Sequence, residues 1–336
     1  MRLKFAIVGM GFIGAKHLAS IQSHPEAEVV AVCDPFSEES PDHSLPVYQD
    51  ISSMISAHPG IQVVNICTPN GLHARQAIEC IAHGKHVVLE KPMSLTKKEA
   101  EQVIFHALNR HVKIFCVMQN RYTANARFLK HLITTDNLGS VREIVVNLYW
   151  NRDRRYYFAG DGVQHAWRGN AGMDGGPLFT QFSHFVDLLY WLFGDIEVLD
   201  AKVANLAHEY VPEIEDAGFF TFRTGSGADG SFRYSINAPV SNIESSVLIL
   251  GAKGAIKVSG QYLENIEHYS GDQLLDNEYP ILDNTHTHRL VIRNVIDAIN
   301  SGNDIDTNAI EGMKVVEVIE EVYRKAGKKG LHLIQK

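Results

Sequence analysis

The stretch Leu3-Lys4-Phe5-Ala6-Ile7-Val8-Gly9-Met10-Gly11-Phe12-Ile13-Gly14 decides the fold. A short, largely apolar run feeds straight into Gly-x-Gly-x-x-Gly and then into a helical pattern, the strand, turn and helix that open a dinucleotide-binding βαβ unit. Gly9 permits the tight turn, Gly11 lets the backbone approach a pyrophosphate, and Gly14 lets the helix pack close to the strand. Free N–H groups at the helix start attract the anion. The next apolar run, 29–33, ends in Asp34, 20 positions after Gly14. A carboxylate there accepts both ribose hydroxyls and repels a 2′-phosphate, which favours NAD over NADP.

Outward from this start the pattern alternates. Strands are expected over 3–8, 27–33, 61–67, 85–89 and 113–118, and helices over 12–23, 48–57, 71–83 and 96–109. The strands are almost continuous β-branched or apolar runs, as parallel strands covered on both faces should be. Past Arg121 the rhythm changes to a helix over 124–134, a strand over 141–150, a long polar loop and a strong helix over 178–193. Alternating strands follow within 218–223, 230–236 and 246–251, separated by Gly, Ser, Asn and Asp, and helices over 287–300 and 308–326 close the chain. The fold class is therefore α/β. Residues 1–121 are expected to form a Rossmann domain with a doubly wound parallel sheet, and 122–336 an α+β domain on a large, mostly antiparallel open sheet.

The chain has 336 residues, 45% of them hydrophobic and 21% charged, with a net charge of -8. No basic run interleaved with aromatics would hold a phosphate backbone, so nucleic acid is not an expected partner. Without a signal-peptide pattern or ~18 uninterrupted apolar residues, the expectation is a cytoplasmic protein with no membrane segment. Cys33, Cys67, Cys80 and Cys116 lie singly in apolar runs, which suits reduced core thiols. His286-Thr287-His288 precedes a helix with no third ligand at metal spacing, so no metal is expected. The chain also lacks a Gly-x-Ser-x-Gly elbow for covalent catalysis.

The apolar strand ending at Leu89 delivers Glu90, Lys91 and Pro92 to the carboxyl edge of the sheet, where dinucleotide folds do chemistry. Oxidising an alcohol by hydride transfer needs an acceptor for the hydroxyl proton and a donor for the developing alkoxide. Lys91 suits the second task, unless it merely pairs with Glu90. On the helix 178–193, positions 180, 184 and 187 share one face, so His184 is a candidate base with Asp187 orienting it, or else a satisfied core histidine. In the turn Cys67-Thr68-Pro69-Asn70-Gly71-Leu72-His73, Asn70 is placed to bond the dinucleotide, or Thr68 and Asn70 to cap the helix. The loop Asn151-Arg152-Asp153-Arg154-Arg155-Tyr156-Tyr157 offers guanidinium forks and aromatic faces to phosphate or carboxylate groups, or is a solvated turn. Arg121 and Arg168 offer the same chemistry.

With Gly9-x-Gly-x-x-Gly14, Asp34, Thr68-Pro69-Asn70, Glu90-Lys91-Pro92 and a Gly175-Gly176 to His184-x-x-Asp187 helix in this order, the chain resembles the glucose-fructose oxidoreductase / inositol dehydrogenase / MocA family over essentially its whole length. The resemblance implies that these N-terminal segments hold NAD(P) and that Lys91-Pro92 is cis. It also implies that the second domain supplies a sugar pocket and an open sheet for assembly into a homodimer or homotetramer. Many members carry an aspartate four residues before the helix histidine, in a Lys-Asp-His set; here Thr180 stands there, followed by Gln181. That departure, with Met118-Gln119-Asn120-Arg121-Tyr122, Trp150-Asn151-Arg152 and Trp167-Arg168 before Asp174, resembles the branch of UDP-N-acetylglucosaminuronate 3-dehydrogenases of surface-polysaccharide pathways. The implied cofactor residues are Gly9, Gly11, Phe12, Ile13, Gly14, Asp34, Thr68, Pro69, Asn70, His73, Glu90, Lys91 and Gln119. The implied substrate residues are Lys91, Arg121, Tyr122, Arg152, Tyr156, Arg168, Thr180, Gln181 and His184, with Lys91 and His184 catalytic. The expected reaction takes hydride from a sugar carbon, C3 of a UDP-linked N-acetylamino sugar or its uronate, onto NAD. An inositol or monosaccharide dehydrogenase is the enzyme alternative. A non-catalytic dinucleotide-binding regulator is the other, since the family includes a yeast galactose-regulon repressor.

Overall fold

The computed structural model describes residues 2–37, 44–271 and 286–328. The chain divides into two compact units, Met1–Gln119 with Thr285–Val316, and Asn120–Asn284 with Glu317–Lys336. This differs from a single division at 121/122. The first unit recovers a C-terminal segment because the helix α9 (Thr287–Asn300) packs on α1 (Phe12–Gln22). Its buried Val291, Ile292, Val295 and Ile296 repeat at three- and four-residue spacing and form the face it presents.

In the first unit, strands β1 (Leu3–Val8), β2 (Ala27–Cys33), β3 (Val47–Tyr48), β4 (Val63–Ile66), β5 (His86–Leu89) and β6 (Ile114–Cys116) form one sheet in the order β3-β2-β1-β4-β5-β6. All its pairs are parallel. The order reverses at β1, so the carboxyl ends of β1 and β4 flank the crevice where such sheets bind ligands. The helix expected over 48–57 begins late. Val47 and Tyr48 pair with β2 as a short edge strand, and α2 (Ile51–Ala57) starts only after Asp50, whose side chain accepts from the Ser53 N–H. Helix α4 (Lys97–Arg110) starts with a reciprocal cap: Thr96 Oγ1 accepts from the Glu99 N–H and donates to the Glu99 carboxylate.

The second unit is built on seven strands in the order β13-β12-β11-β7-β10-β9-β8. They are β7 (Val141–Tyr149), β8 (Ile196–Ala204), β9 (Ala217–Thr224), β10 (Asp229–Ser235), β11 (Glu244–Gly251), β12 (Ala255–Ser259) and β13 (Asn265–Ser270). Only β7 and β10 run parallel. One face of this sheet is covered by side chains such as Phe220, Phe222, Phe232 and Tyr234, which are fully buried, and Phe220 stacks on Phe232 at 4.8 Å. These alternate with more exposed residues, as half-covered strands require.

The helix expected over 178–193 is broken in two. A short turn α7 (Pro177–Thr180) ends where the amides of Gln181 and Phe182 both bond the Pro177 carbonyl, and α8 (Ser183–Phe193) begins afresh. Thr180 therefore does not share a continuous helical face with His184 and Asp187. Replacing Phe232 with Ala removes a fully buried, stacked ring from this core and should cost about 3–5 kcal/mol. Urea unfolding of parent and variant measures it, and a loss below ~1 kcal/mol would mean that the stack is not part of the core.

Candidate functional site

At the nucleotide edge, Gly9 adopts φ +88°, a conformation L side chains rarely take. A Cβ at Gly14 would lie 2.1 Å from the Gly9 carbonyl oxygen, whereas one at Gly11 would meet nothing within 4 Å. So Gly14 serves helix packing and Gly11 leaves its side of the turn open. No side chain caps α1, which leaves its first amides for an anion. Phe12 is 76% exposed at the mouth, with Ile13 half-buried beside it. Asp34 is fixed by accepting from the main-chain N–H of Met10 (2.8 Å) and Phe36 (2.9 Å), and stands half-buried past β2. An open cradle, free helix amides and an oriented carboxylate at the crossover point fit a dinucleotide.

The turn after β4 is braced from below. His73 is buried, and its two ring nitrogens face the carbonyls of Thr68 and Pro92, each at 2.7 Å. The ring thus ties this turn to the segment after Lys91, and its nitrogens meet main chain where a cofactor contact was expected. Thr68 donates to Gln76, and the N-cap residues of the 3-10 turn Asn70–Leu72 and of the helix α3 (His73–Ala82) that follows, Pro69 and Leu72, make no side-chain cap bond. The Thr68 hydroxyl is thus spent on Gln76.

Past β5, Lys91-Pro92 is cis, as the resemblance implies. Glu90 is buried; its carboxylate accepts from the Lys91 N–H (3.1 Å) and lies 2.9 Å from His17 Nε2 and 3.8 Å from His288 Nε2. His288 was read as lacking companions at metal spacing, but the fold supplies two. The ligand atoms of His17, Glu90 and His288 lie within 4.8 Å of one another, the one such group among the described residues. Charge explains the cluster in the state described. Burial alone would push the Glu90 carboxyl up, but His17 outweighs it and holds the group near 2. Burial likewise works against a charged His17, and the adjoining Cys67 sulfur and Glu90 carboxylate reverse it. Asn65 Nδ2 meets His17 Nδ1 at 2.7 Å while Asn65 Oδ1 has no partner. With that amide turned so that Oδ1 faces Nδ1, the ring donates at both nitrogens and is the cation that Glu90 calls for. Nothing local in the sequence marks His17, whose partners lie 48 and 73 residues away.

In the second unit, Arg121 is buried and donates from Nε and Nη2 to the two oxygens of Asp187, at 2.8 and 2.6 Å. Arg121, expected at the substrate, is half of a core ion pair, and Asp187, expected to orient His184, takes its place opposite Arg121. The adjacent Tyr122 is also buried. His184, on the first turn of α8, is 8% exposed. The Gly175-Gly176 turn that launches α7 is sterically required: Gly176 has φ +99°, and a Cβ there would lie 2.8 Å from Tyr323 Oη and 2.9 Å from Glu215 Oε2. Thr180 donates to the Asp174 carboxylate at 2.5 Å, and Asp174 also accepts from the Gly169 and Gly176 N–H groups. So the residue at the position of the familial aspartate secures the loop before the helix.

Four expected substrate residues do come together. The Arg152 guanidinium lies over the rings of Trp150 (5.0 Å) and Tyr156 (5.6 Å), and Arg168 lies over Tyr156 at 4.5 Å. Gln181 Nε2 donates to Tyr156 Oη at 3.0 Å. Arg168 Nη1 holds the Tyr156 carbonyl while its buried Nε has no acceptor, a donor awaiting a partner. Part of the polar loop forms a short helix, α6 (Arg154–Tyr157), capped by Asp153.

Residues 3–118 match the oxidoreductase family with an NAD-binding Rossmann fold, and residues 130–332 match its C-terminal alpha/beta domain. The chain belongs to this family. Its first unit is thus an NAD-binding domain. The WlbA dehydrogenase from Bordetella pertussis, solved with NADH and UDP-GlcNAcA, superposes with a TM-score of 0.88 at 30% identity over 97% of this chain and 96% of that one. The WlbA dehydrogenase from Chromobacterium violaceum, solved with the same two molecules, gives 0.88 at 32% identity over 97% and 94%. The scyllo-inositol 2-dehydrogenase (NADP(+)) IolW of Bacillus subtilis is 33% identical over 44% of this chain and 39% of its own length. The chain spans about half the length, or less, of the first curated relatives it matches. No helix among the described residues is long and apolar enough to cross a membrane.

Removing one partner of a buried ion pair strands the other, so Asp187→Ala should destabilise the protein by about 3–5 kcal/mol. The double change Arg121→Met, Asp187→Leu should recover most of that loss. Thermal unfolding tests both; a stable Asp187→Ala variant with crippled turnover would return Asp187 to the role of orienting His184.

Proposed function

We propose that this protein is an NAD-dependent dehydrogenase that oxidises a hydroxyl of a UDP-linked N-acetylamino sugar or its uronate, with C3 as the reacting carbon. One observation carries the substrate class: the two guanidinium groups of Arg152 and Arg168 gathered on the Tyr156 ring, one with a buried, unanswered N–H. Neutral polyols have no use for such a pair, whereas a diphosphate or carboxylate has. The two WlbA dehydrogenases solved with UDP-GlcNAcA support the same reading at 30% and 32% identity.

The nicotinamide of bound NAD supplies the hydride acceptor. Gly9, Gly11, Gly14 and the first turn of α1 hold the pyrophosphate, and Asp34 accepts the adenosine ribose hydroxyls. Lys91 donates to the reacting hydroxyl oxygen and stabilises negative charge as it develops. His184 accepts the hydroxyl proton. Arg152, Arg168 and Gln181 fix the anionic portion of the substrate, and Thr180 keeps the loop before α8 in place through Asp174. The reading includes a cytoplasmic homodimer or homotetramer, supported by the partly exposed Phe219 and Leu199 on the second sheet.

The polyol reading keeps one specific support, the likeness to the inositol dehydrogenase. Measuring NADH formation against UDP-GlcNAcA, UDP-GlcNAc and scyllo-inositol separates the two; turnover of inositol alone would overturn the nucleotide-sugar assignment. No turnover with any of them, with NAD bound, would favour the regulator.

Lys91→Ala should lower kcat by about 10²–10⁴-fold with NADH affinity retained, and near-parental turnover would remove Lys91 from the chemistry. Asp34→Ser removes the charge facing a 2′-phosphate and should bring the kcat/KM ratio of NAD to NADP down by about tenfold or more. An unchanged ratio would show that cofactor choice lies elsewhere.

A further inference from the structure

His208 stands outside the proposed machinery, in the loop between β8 and β9, and is buried. Its ring is held at both nitrogens. Nδ1 lies 2.9 Å from Asp216 Oδ2 and Nε2 lies 2.7 Å from the main-chain carbonyl oxygen of Arg152. The Asp216 carboxylate also accepts from the N–H groups of Leu206 (2.8 Å), Ala207 (2.7 Å) and His208 (3.0 Å). A carboxyl group surrounded by that many donors is ionised, and its pKa lies far below the usual range despite burial, because the His208 ring and these amides outweigh the desolvation. Ionised, it only accepts. A carbonyl oxygen also only accepts, so both ring nitrogens must donate and the ring must carry both protons.

That requirement matters because of what the second bond restrains. Arg152 follows the end of β7, and its main-chain N–H donates to the Ile236 carbonyl at 3.0 Å. With its own carbonyl held by His208, the residue is fixed on both sides of its Cα. Its guanidinium then reaches back across the Trp150 and Tyr156 rings, Nη1 donating to the Asn151 carbonyl. A neutral His208 retaining its bond to Asp216 would turn a lone pair against the carbonyl and free this point of the chain.

We propose that doubly protonated His208 is a positioning residue for Arg152, and that it makes the affinity of this protein for an anionic nucleotide sugar fall as the ring loses its second proton. The proposal rests on the substrate reading above.

The surroundings set the sign. Asp216 and the ring of Tyr210 face His208 from its own loop, Tyr157 and the charged Asp153 and Arg154 come from α6 and its cap, and Asn237 and Arg152 from the ends of β10 and β7. Burial would lower the pKa of the ring, but Asp216 and the Arg152 carbonyl outweigh it, so it is raised. A raised pKa means that the restraint is complete below the ordinary histidine range and is lost as pH rises through the higher, folded-state value.

The test is calorimetric binding of UDP-GlcNAcA to the NADH-loaded protein, together with nitrogen NMR of the His208 ring on the full chain. The parent should lose about tenfold in affinity as pH is raised from about 6.5 through the ring titration that NMR records, because a charge-assisted bond is replaced by a repulsive contact. His208→Gln keeps an N–H donor but does not titrate, and should flatten that dependence while binding within about threefold of the low-pH parent. His208→Leu should bind about tenfold more weakly at every pH. A ring that NMR finds neutral at about pH 6.5, a His208→Gln curve matching the parent, or no binding of UDP-GlcNAcA at all overturns the proposal. Pronounced pH-dependent binding without NADH formation in the forward assay would instead refute the dehydrogenase reading and leave the role of His208 standing.

Discussion

Helix α1 can approach the turn before it only because residue 14 has no side chain; a single Cβ would stand 2.1 Å from the Gly9 carbonyl oxygen. This close approach is the constraint on which the first unit depends. It aims the first amides of α1 over the end of β1 and brings the Met10 N–H onto Asp34. It also leaves Gly11 facing open space. The same helix carries His17 inward to Glu90, so the cofactor turn and the residue preceding Lys91 are both tied to one helix.

The second unit is organised by a different constraint, the cost of an unanswered buried charge. Arg121 is answered by Asp187, His208 by Asp216, and Glu215 by Tyr234, Tyr323 and Lys328. Each pairing joins elements far apart in sequence, and each secures a segment that carries a proposed substrate group. Glu215 and Tyr323 fill the space that makes Gly176 obligatory, which starts the turn leading to Gln181 and His184. His208 restrains Arg152.

These two constraints explain what the sequence could reveal. Rules that operate within about 30 residues, such as the glycine turn, the acidic end of β2 and the strand delivering Lys91, are legible because strand, turn and helix are contiguous. Boundaries failed where a local cap overrode periodicity. Asp50 delays α2, and the shared Pro177 carbonyl breaks the expected 178–193 helix, so the apparent polar stripe of Thr180, His184 and Asp187 was never one face. Arg121 illustrates another limit. A guanidinium pointed at a ligand and one pointed at an aspartate 66 positions later look the same in sequence. His208 and His17 gave no local signal, since pattern and composition carry no information on which distant acceptors a ring will meet.

Thr180 shows how the two kinds of rule combine. Read against the family, it is a missing carboxylate; read in its surroundings, it is the hydroxyl that donates to Asp174, itself held by two main-chain amides of the same loop. Asp174 is buried, and burial raises its pKa against the pull of these donors. A carboxylate so enclosed is committed to the donors around it and serves as a clamp for a glycine turn. The hydroxyl at 180 therefore holds the loop before α8 through Asp174 and adds no second carboxylate beside it.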